Sequence, residues 1–341
     1  MTRQERRIDE LILALSQADD AVSRLDERVR ACAFATGWIA RLDLSEAHAW
    51  GWTSGNGVGV EDLVLHEEGM DIRAPDQALR AAHGVIRARR KAAPAGRELL
   101  SVDGVSWLVA ARRSPPLESG PGQDGALPGT APVDSEVTGL ARLVAQLAQT
   151  AKGTTDDADG ALREWLLFLD GLQNDLPPLL RAAAALEAWT VIDPLPRHRY
   201  VGPILVGHWL RLRRRVQTHL LGVEGGLRIR SRQARDRFAV GPHERLLHWL
   251  AVFSAAANHG LDELRRLELA RQVLAARLAR RRTHSHLGEV VELLLERPVV
   301  TASMVAERLK VTQQSARRLI SELGTSVTEI SGRARFRAWR L

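Results

Sequence analysis

The sequence predicts a mainly α fold: a helical body followed by a C-terminal winged helix-turn-helix with a short β-hairpin wing. Three observations predict it. Apolar residues recur at helical spacing over most of the 341 residues. The last stretch, 284–341, carries three capped helical patterns and then a basic hairpin pattern. The charge is also divided, with an excess of arginine in the C-terminal part.

Taken in order, Leu11, Leu13, Leu15, Ala21, Leu25 and Val29 predict a helix over 5–40. From Leu44 to Leu65 the chain holds Trp50 and Trp52, and then Gly51, Gly55, Gly57 and Gly59 mark a loop or broken helix. A helix is expected over 75–92. Around Asp103-Gly104, the flanking runs Leu99–Val102 and Val105–Val109 predict a β-hairpin. Residues 114–135 hold five prolines and four glycines and read as a flexible linker. Helices are expected over Glu136–Gln149, Gly160–Leu172, Leu179–Val191, 203–221, 242–259 and 262–282, the last with Asp262 as N-cap. These elements divide the chain into an N-terminal helical region (1–113), the linker (114–135), a helical body (136–283) and the winged unit (284–341).

The winged unit carries the chemistry. Leu287–Leu295 read as its first helix, closed by Arg297-Pro298. Thr301 caps Ala302–Leu309, Lys310-Val311 turn, and Thr312 caps Gln313–Leu323. On that third helix Ala316, Leu319, Ile320 and Leu323 share the inner face. Thr312, Gln313, Gln314, Ser315, Arg317, Arg318 and Ser321 are left for DNA. Glutamine suits an adenine edge and arginine forks onto guanine. The hairpin Val327–Ile330, Ser331-Gly332 and Ala334–Trp339 carries Arg333, Arg335 and Arg337, which alternate onto one face and suit backbone or minor-groove contact.

The charge agrees with this. The chain totals +7, with 48 basic and 41 acidic side chains. Residues 1–204 carry −7 and residues 205–341 carry +14. Within the latter, Arg211, Arg213-Arg214-Arg215 and Arg228-Ile229-Arg230-Ser231-Arg232 fit two readings equally: a phosphate-binding stripe, or a helix face paired with the acidic N-terminal part. Cys32, the single cysteine, excludes a disulfide scaffold and reads as a buried structural thiol. No apolar run reaches the roughly 18–20 residues of a membrane span. The first residues lead into a helix with acidic side chains rather than a signal-peptide core. A cytoplasmic protein, nucleoid-associated when bound, is the expectation.

Several residues group into a resemblance. Glu61–His66, Gly69–Pro75, His198–Leu205 and Gly332–Trp339 resemble a bacterial family with a domain of unknown function and a C-terminal helix-turn-helix. More distantly, the arrangement is similar to Fic-related proteins ending in a winged helix. The closer resemblance implies DNA binding. The Fic resemblance implies a nucleotide-transfer loop of His-Pro-Phe, an acidic residue and Gly-Asn-Gly-Arg. Here His198 and Tyr200 match its first and third positions, Gly202 stands in the acidic slot, and Pro203-Ile204-Leu205-Val206 replace the phosphate cradle. The stretch Trp50–Gly55, in the place of the Fic inhibitory helix, lacks the blocking glutamate. The motif is therefore degenerate. No enzyme activity, cofactor or metal is expected, and nothing in Gly55-Asn56-Gly57 or in His284 and His286 alters that.

The function expected is sequence-specific binding of double-stranded DNA in transcriptional regulation, by a homodimer paired through the helical body over 262–282. The alternatives are a Fic-type nucleotide transferase with a divergent loop and an architectural or protein-interaction module.

Overall fold

The structure is a computed structural model. It describes residues 3–69, 71, 74–110, 139, 158–172, 176–233, 241–278, 286–330 and 337–341. The linker over 114–135 lies outside them, as does the helix expected at Glu136–Gln149 apart from Gly139. The molecule is mainly helical, and among the described residues there is one small sheet, in the C-terminal segment.

The helices are α1 (Arg3–Arg30), α2 (Ala35–Thr53), α3 (Val60–Glu67), α4 (Gln77–Ala92), α5 (Val102–Val109), α6 (Ala158–Gly171), α7 (Pro178–Ile192), α8 (Val201–Leu212), α9 (Val223–Gln233), α10 (Pro242–Leu278), α11 (Leu287–Glu296), α12 (Ala302–Leu309) and α13 (Gln313–Glu322). The strands are β1 (Val300–Thr301), β2 (Thr328–Glu329) and β3 (Ala338–Arg340). The chain forms two compact units. One holds 1–26 and 87–258, the other 27–86 and 259–341.

In the first unit the core is built on α6, α7 and α8. The run Ala182–Ala185 and Ala188 is fully buried, so small side chains let α7 pack closely on both neighbours. Trp165 donates its indole N–H to Ala185 O at 2.9 Å and meets Trp189 edge to face at 4.9 Å. Gly202 lies against the Trp189 indole, where a Cβ would fall 2.4 Å from Cδ2. Arg181 stacks its guanidinium 4.8 Å from the Trp209 ring.

The second unit holds the C-terminal segment and the elements that pack on it. Gly37 of α2 lies where a Cβ would meet Glu296 Cα at 2.7 Å, so α2 and α11 touch backbone to backbone. Arg41 of α2, itself buried, reaches the C-terminal end of α11. It donates to Leu295 O at 3.0 Å, to Arg297 O at 2.7 Å and to Leu294 O. A cation there meets the negative end of the helix dipole and satisfies carbonyls that the helix leaves open. Arg297 pairs with Glu68 just beyond α3.

Several expectations are corrected. The predicted hairpin at Leu99–Val109 is a short 3₁₀ turn (Arg97–Leu99) followed by α5. Ser101 caps α5 by accepting from Gly104 N at 3.0 Å, and Asp103-Gly104 form its first turn rather than a hairpin tip. A Cβ at Gly104 would lie 2.3 Å from Glu98 O, so the glycine serves close packing. The helices expected at 242–259 and 262–282 are one helix, α10. Asp262 is not a cap but pairs with Arg265 within it. Burial of Leu261, Leu264 and Leu267 offsets the roughly 1 kcal/mol cost of Gly260. The helix expected over 5–40 breaks after Arg30, and the one over 203–221 is confined to α8.

Candidate nucleic-acid interface

The site is built from α11, α12, α13 and the sheet. Val290, Val291, Leu294 and Leu295 of α11 are buried, as are Val305 and Leu309 of α12 and Ala316 and Ile320 of α13. Thr301 begins α12 by accepting from Met304 N at 3.3 Å. Lys310 ends it in the left-handed conformation, φ 53°, and Val311 N returns to Ala306 O at 3.0 Å. Thr312 then opens α13, accepting from Ser315 N at 3.2 Å. Helix, tight turn and helix follow as the sequence predicts.

Behind α13 the chain returns as β2 and β3. The sheet order is β1-β3-β2, all antiparallel. Val300 pairs with Trp339, and Glu329 also faces Trp339, so β3 lies in the centre. The strand expected at Ala334–Trp339 is described only as Ala338–Arg340. Arg266 of α10 donates to Leu341 O at 3.0 Å, which ties the end of β3 down.

The predicted DNA-facing residues fall into distinct situations. Gln313, Gln314, Ser315, Arg317, Arg318 and Ser321 are all exposed on α13, as is Thr312 at its cap. Gln313 donates to Ser303 Oγ of α12 at 3.3 Å. Ser315 receives the Thr312 hydroxyl at 3.0 Å. Arg318 pairs with Glu322 at 3.2 Å, and the Ser321 hydroxyl donates to Arg318 O at 2.7 Å. Gln314 and Arg317 make no side-chain hydrogen bond or ion pair to another described residue. Leu319, expected on the inner face, is half-buried.

Arg333 and Arg335 lie outside the described residues. Arg337 is exposed, but its guanidinium forks onto the Glu329 carboxylate, with Nε 2.8 Å from Oε1. That pairing raises its pKa. It is not the unencumbered cation that the alternating pattern suggested.

The stretch that resembles a transfer loop is packed into the body and offers no phosphate cradle. Pro203, Ile204, Leu205 and Val206 lie inside α8 and are buried. Gly202 is spent on packing against Trp189. His198 is half-buried and stacks on Tyr200 at 5.9 Å; burial, then Arg197, lowers its pKa.

The basic stretch from the last turn of α8 onward is partly committed. Arg215 donates to Asp19 Oδ1 at 3.0 Å, Asp19 O at 2.8 Å and Ser23 Oγ at 2.7 Å of α1. Arg211 donates to Ala93 O at 2.6 Å. Arg213 lies over Trp209 and is exposed. Pairing with the N-terminal part therefore holds for Arg215. Cys32, expected to be buried, is half-buried, and burial raises its thiol pKa.

Comparison with known proteins gives the segment its context. Residues 287–341 match a family described as an HTH DNA binding domain, and residues 154–279 one described as a protein of unknown function, DUF1612. Uncharacterized protein y4cF of Sinorhizobium fredii (strain NBRC 101917 / NGR234) is 33% identical over 366 aligned residues. That match covers 95% of this chain and 94% of the relative. The chain belongs to the same family as y4cF. Its two matched regions coincide with the elements above. The DUF1612 region runs from just before α6 to just past the end of α10, and the DNA-binding domain is α11 to β3. The Fic resemblance is carried by neither match. Among the described residues no helix is long and apolar enough to cross a membrane.

Proposed function

We propose that this protein is a sequence-specific DNA-binding regulator that works as a homodimer and has no catalytic role. The observation that carries the reading is α13. It is a capped helix whose inner residues are buried in a helix-turn-helix core and whose outer residues are glutamine, arginine and serine. Such a helix docks in a major groove with its N-terminal half against base edges. The β2–β3 hairpin is the wing, and Arg333 and Arg335 are its backbone or minor-groove contacts. Arg337 joins them only by exchanging Glu329 for phosphate.

One winged unit offers few contacts, and a two-fold dimer doubles them. On α10, Leu269 is 62% exposed and Val273 42%. With exposed Ala276 they form an apolar stripe at i, i+4 and i+7, inside the stretch 262–282 through which a homodimer was expected to pair. This stripe is the contact we assign to a second copy.

Selection of bound sequences from random double-stranded DNA by the full-length protein tests the reading. A defined, two-fold symmetric motif supports it. Equal retention of all sequences overturns sequence specificity and favours an architectural role.

A further inference from the structure

Six polar side chains on α13 are exposed, but the structure does not leave them equally available. Their positions around the helix separate them first. Ala316 and Ile320 define the buried side. Gln313 precedes them by three and seven residues, so it lies at the edge of that side, toward α12. Its bond to Ser303 Oγ agrees. Gln313 thus positions α13 against α12.

Gln314, Arg317, Arg318 and Ser321 follow one another at i, i+3, i+4 and i+7, and they form the outward strip. Their bonding separates them next. The Ser321 hydroxyl donates to Arg318 O within its own helix. Arg318 is held by Glu322, whose carboxylate also repels phosphate and base acceptors nearby. Ser315 is engaged with the Thr312 cap. Gln314 and Arg317 remain, unengaged with other described side chains and one helical turn apart.

We propose that Gln314 and Arg317 are the base-reading pair, and that they select an adenine and a guanine on adjacent or next-adjacent base pairs of each half-site. This rests on the proposal that α13 enters a major groove. Gln314 has the amide that pairs with adenine N6 and N7, and Arg317 the fork that pairs with guanine O6 and N7. Side chains at i and i+3 stand about 5–6 Å apart. Base pairs rise about 3.4 Å each, so the two side chains reach positions one or two steps apart. Neither side chain must abandon an observed protein partner to reach DNA, whereas Arg318 must leave Glu322.

The test uses full-length protein and random-sequence selection with the wild type, Gln314→Ala, Arg317→Ala, Arg318→Ala and Gln314→Arg. Both proposed readers are exposed, so unchanged circular dichroism and melting temperature are expected for all variants. The wild type should enrich a guanine and an adenine within two base-pair steps. Arg317→Ala should lose the guanine preference alone, by roughly tenfold to a hundredfold against the other bases, and Gln314→Ala the adenine preference alone. Arg318→Ala should leave the motif intact. Gln314→Arg should exchange the adenine for guanine at that position, a gain that misfolding cannot mimic. A defined wild-type motif that survives both alanine variants, or that is lost in Arg318→Ala, overturns the pair while leaving DNA reading by this protein standing. Absence of any wild-type motif overturns both.

Discussion

His219 shows how a single residue can carry a pH response. It is fully buried in the first unit, and Thr218 Oγ1 lies 2.9 Å from its Nδ1 while donating to Asp26 Oδ1 at 2.7 Å. That geometry fits a neutral imidazole donating from Nδ1 to the hydroxyl. Burial pushes its pKa down from 6.5 to about 4. Burial alone would raise the Asp26 carboxyl, but hydrogen bonds from Thr218 and Gln217 outweigh it and hold the pKa below 3.8. The unfolded chain therefore takes up a proton at residue 219 below pH 6.5 that the folded chain refuses until about pH 4. Stability should fall as pH drops through that window, by on the order of 3 kcal/mol for this residue. His198, His208 and His248, lowered chiefly by burial, add the same sign. His219→Gln should flatten, without levelling, urea-unfolding free energy against pH between 6.5 and 4. An unchanged slope would refute the buried neutral imidazole. Arg41 makes a second residue-scale case. Its desolvated guanidinium, with a pKa lowered to about 10 by burial, stays charged at neutral pH and serves three carbonyls at the end of α11. Arg41→Met should cost about 3 kcal/mol in urea unfolding, because those acceptors are then buried without a donor. A loss under about 1 kcal/mol would mean that water replaces the guanidinium. Neither residue was legible in the sequence. Asp26, which fixes the Thr218 hydroxyl beside His219, stands 192 positions from Thr218, and Leu295 stands 254 positions from Arg41; no local pattern encodes such pairs.

At the scale of elements, local chemistry explains both what was readable and what was not. The helix-turn-helix was readable because its signals are local. Thr301 and Thr312 each cap the helix that follows, and the apolar spacing of α12 and α13 marks their inner faces. Thr312→Ala should remove one cap, cost about 1 kcal/mol and lower the melting temperature by a few degrees. Thr312→Ser should retain the cap, and an equal loss in both would show that the hydroxyl is not what matters. Elsewhere local signals pointed the wrong way. Asp103-Gly104 resembles a hairpin turn, but the Ser101 cap and the close approach of Gly104 to Glu98 O make it a helix start. His259-Gly260 looks like a boundary before Asp262, yet burial of Leu261 and Leu264 carries α10 through it. The helix expected to reach residue 221 ends at Leu212, with Arg214 at φ 54°. Beyond it, the N–H groups of Gln217 and Thr218 go to the Asp26 carboxylate instead of to a helix. At Asp103-Gly104 a local cap decided the conformation, and in the other two cases a tertiary contact did.

For the whole molecule, the charge division seen in the sequence has a sharper meaning once the ion pairs are known. Residues 281–341 carry 11 basic and 6 acidic side chains. Arg297, Arg308, Arg318 and Arg337 each hold a carboxylate. Among the described residues of the segment, Lys310, Arg317 and Arg340 hold none. Net charge alone therefore overstates how many cations stand ready for phosphate, and a second copy becomes the natural way to gain more. An isologous dimer through Leu269, Val273 and Ala276 would double every contact of α13 and the wing on a two-fold site. Leu269→Asp with Val273→Asp places carboxylates at one end and in the middle of that contact, where like charges from the two copies would face each other at the cost of desolvation. Both residues are exposed, so the monomer should keep its fold and melting temperature. The wild type should sediment as a dimer at micromolar concentration and the double variant as a monomer. Because log K falls with log salt in proportion to the phosphates neutralised, the slope for the variant on an intact two-fold site should be about half that of the wild type. A wild-type monomer would refute the dimer outright. A variant that still sediments as a dimer would place the contact away from α10.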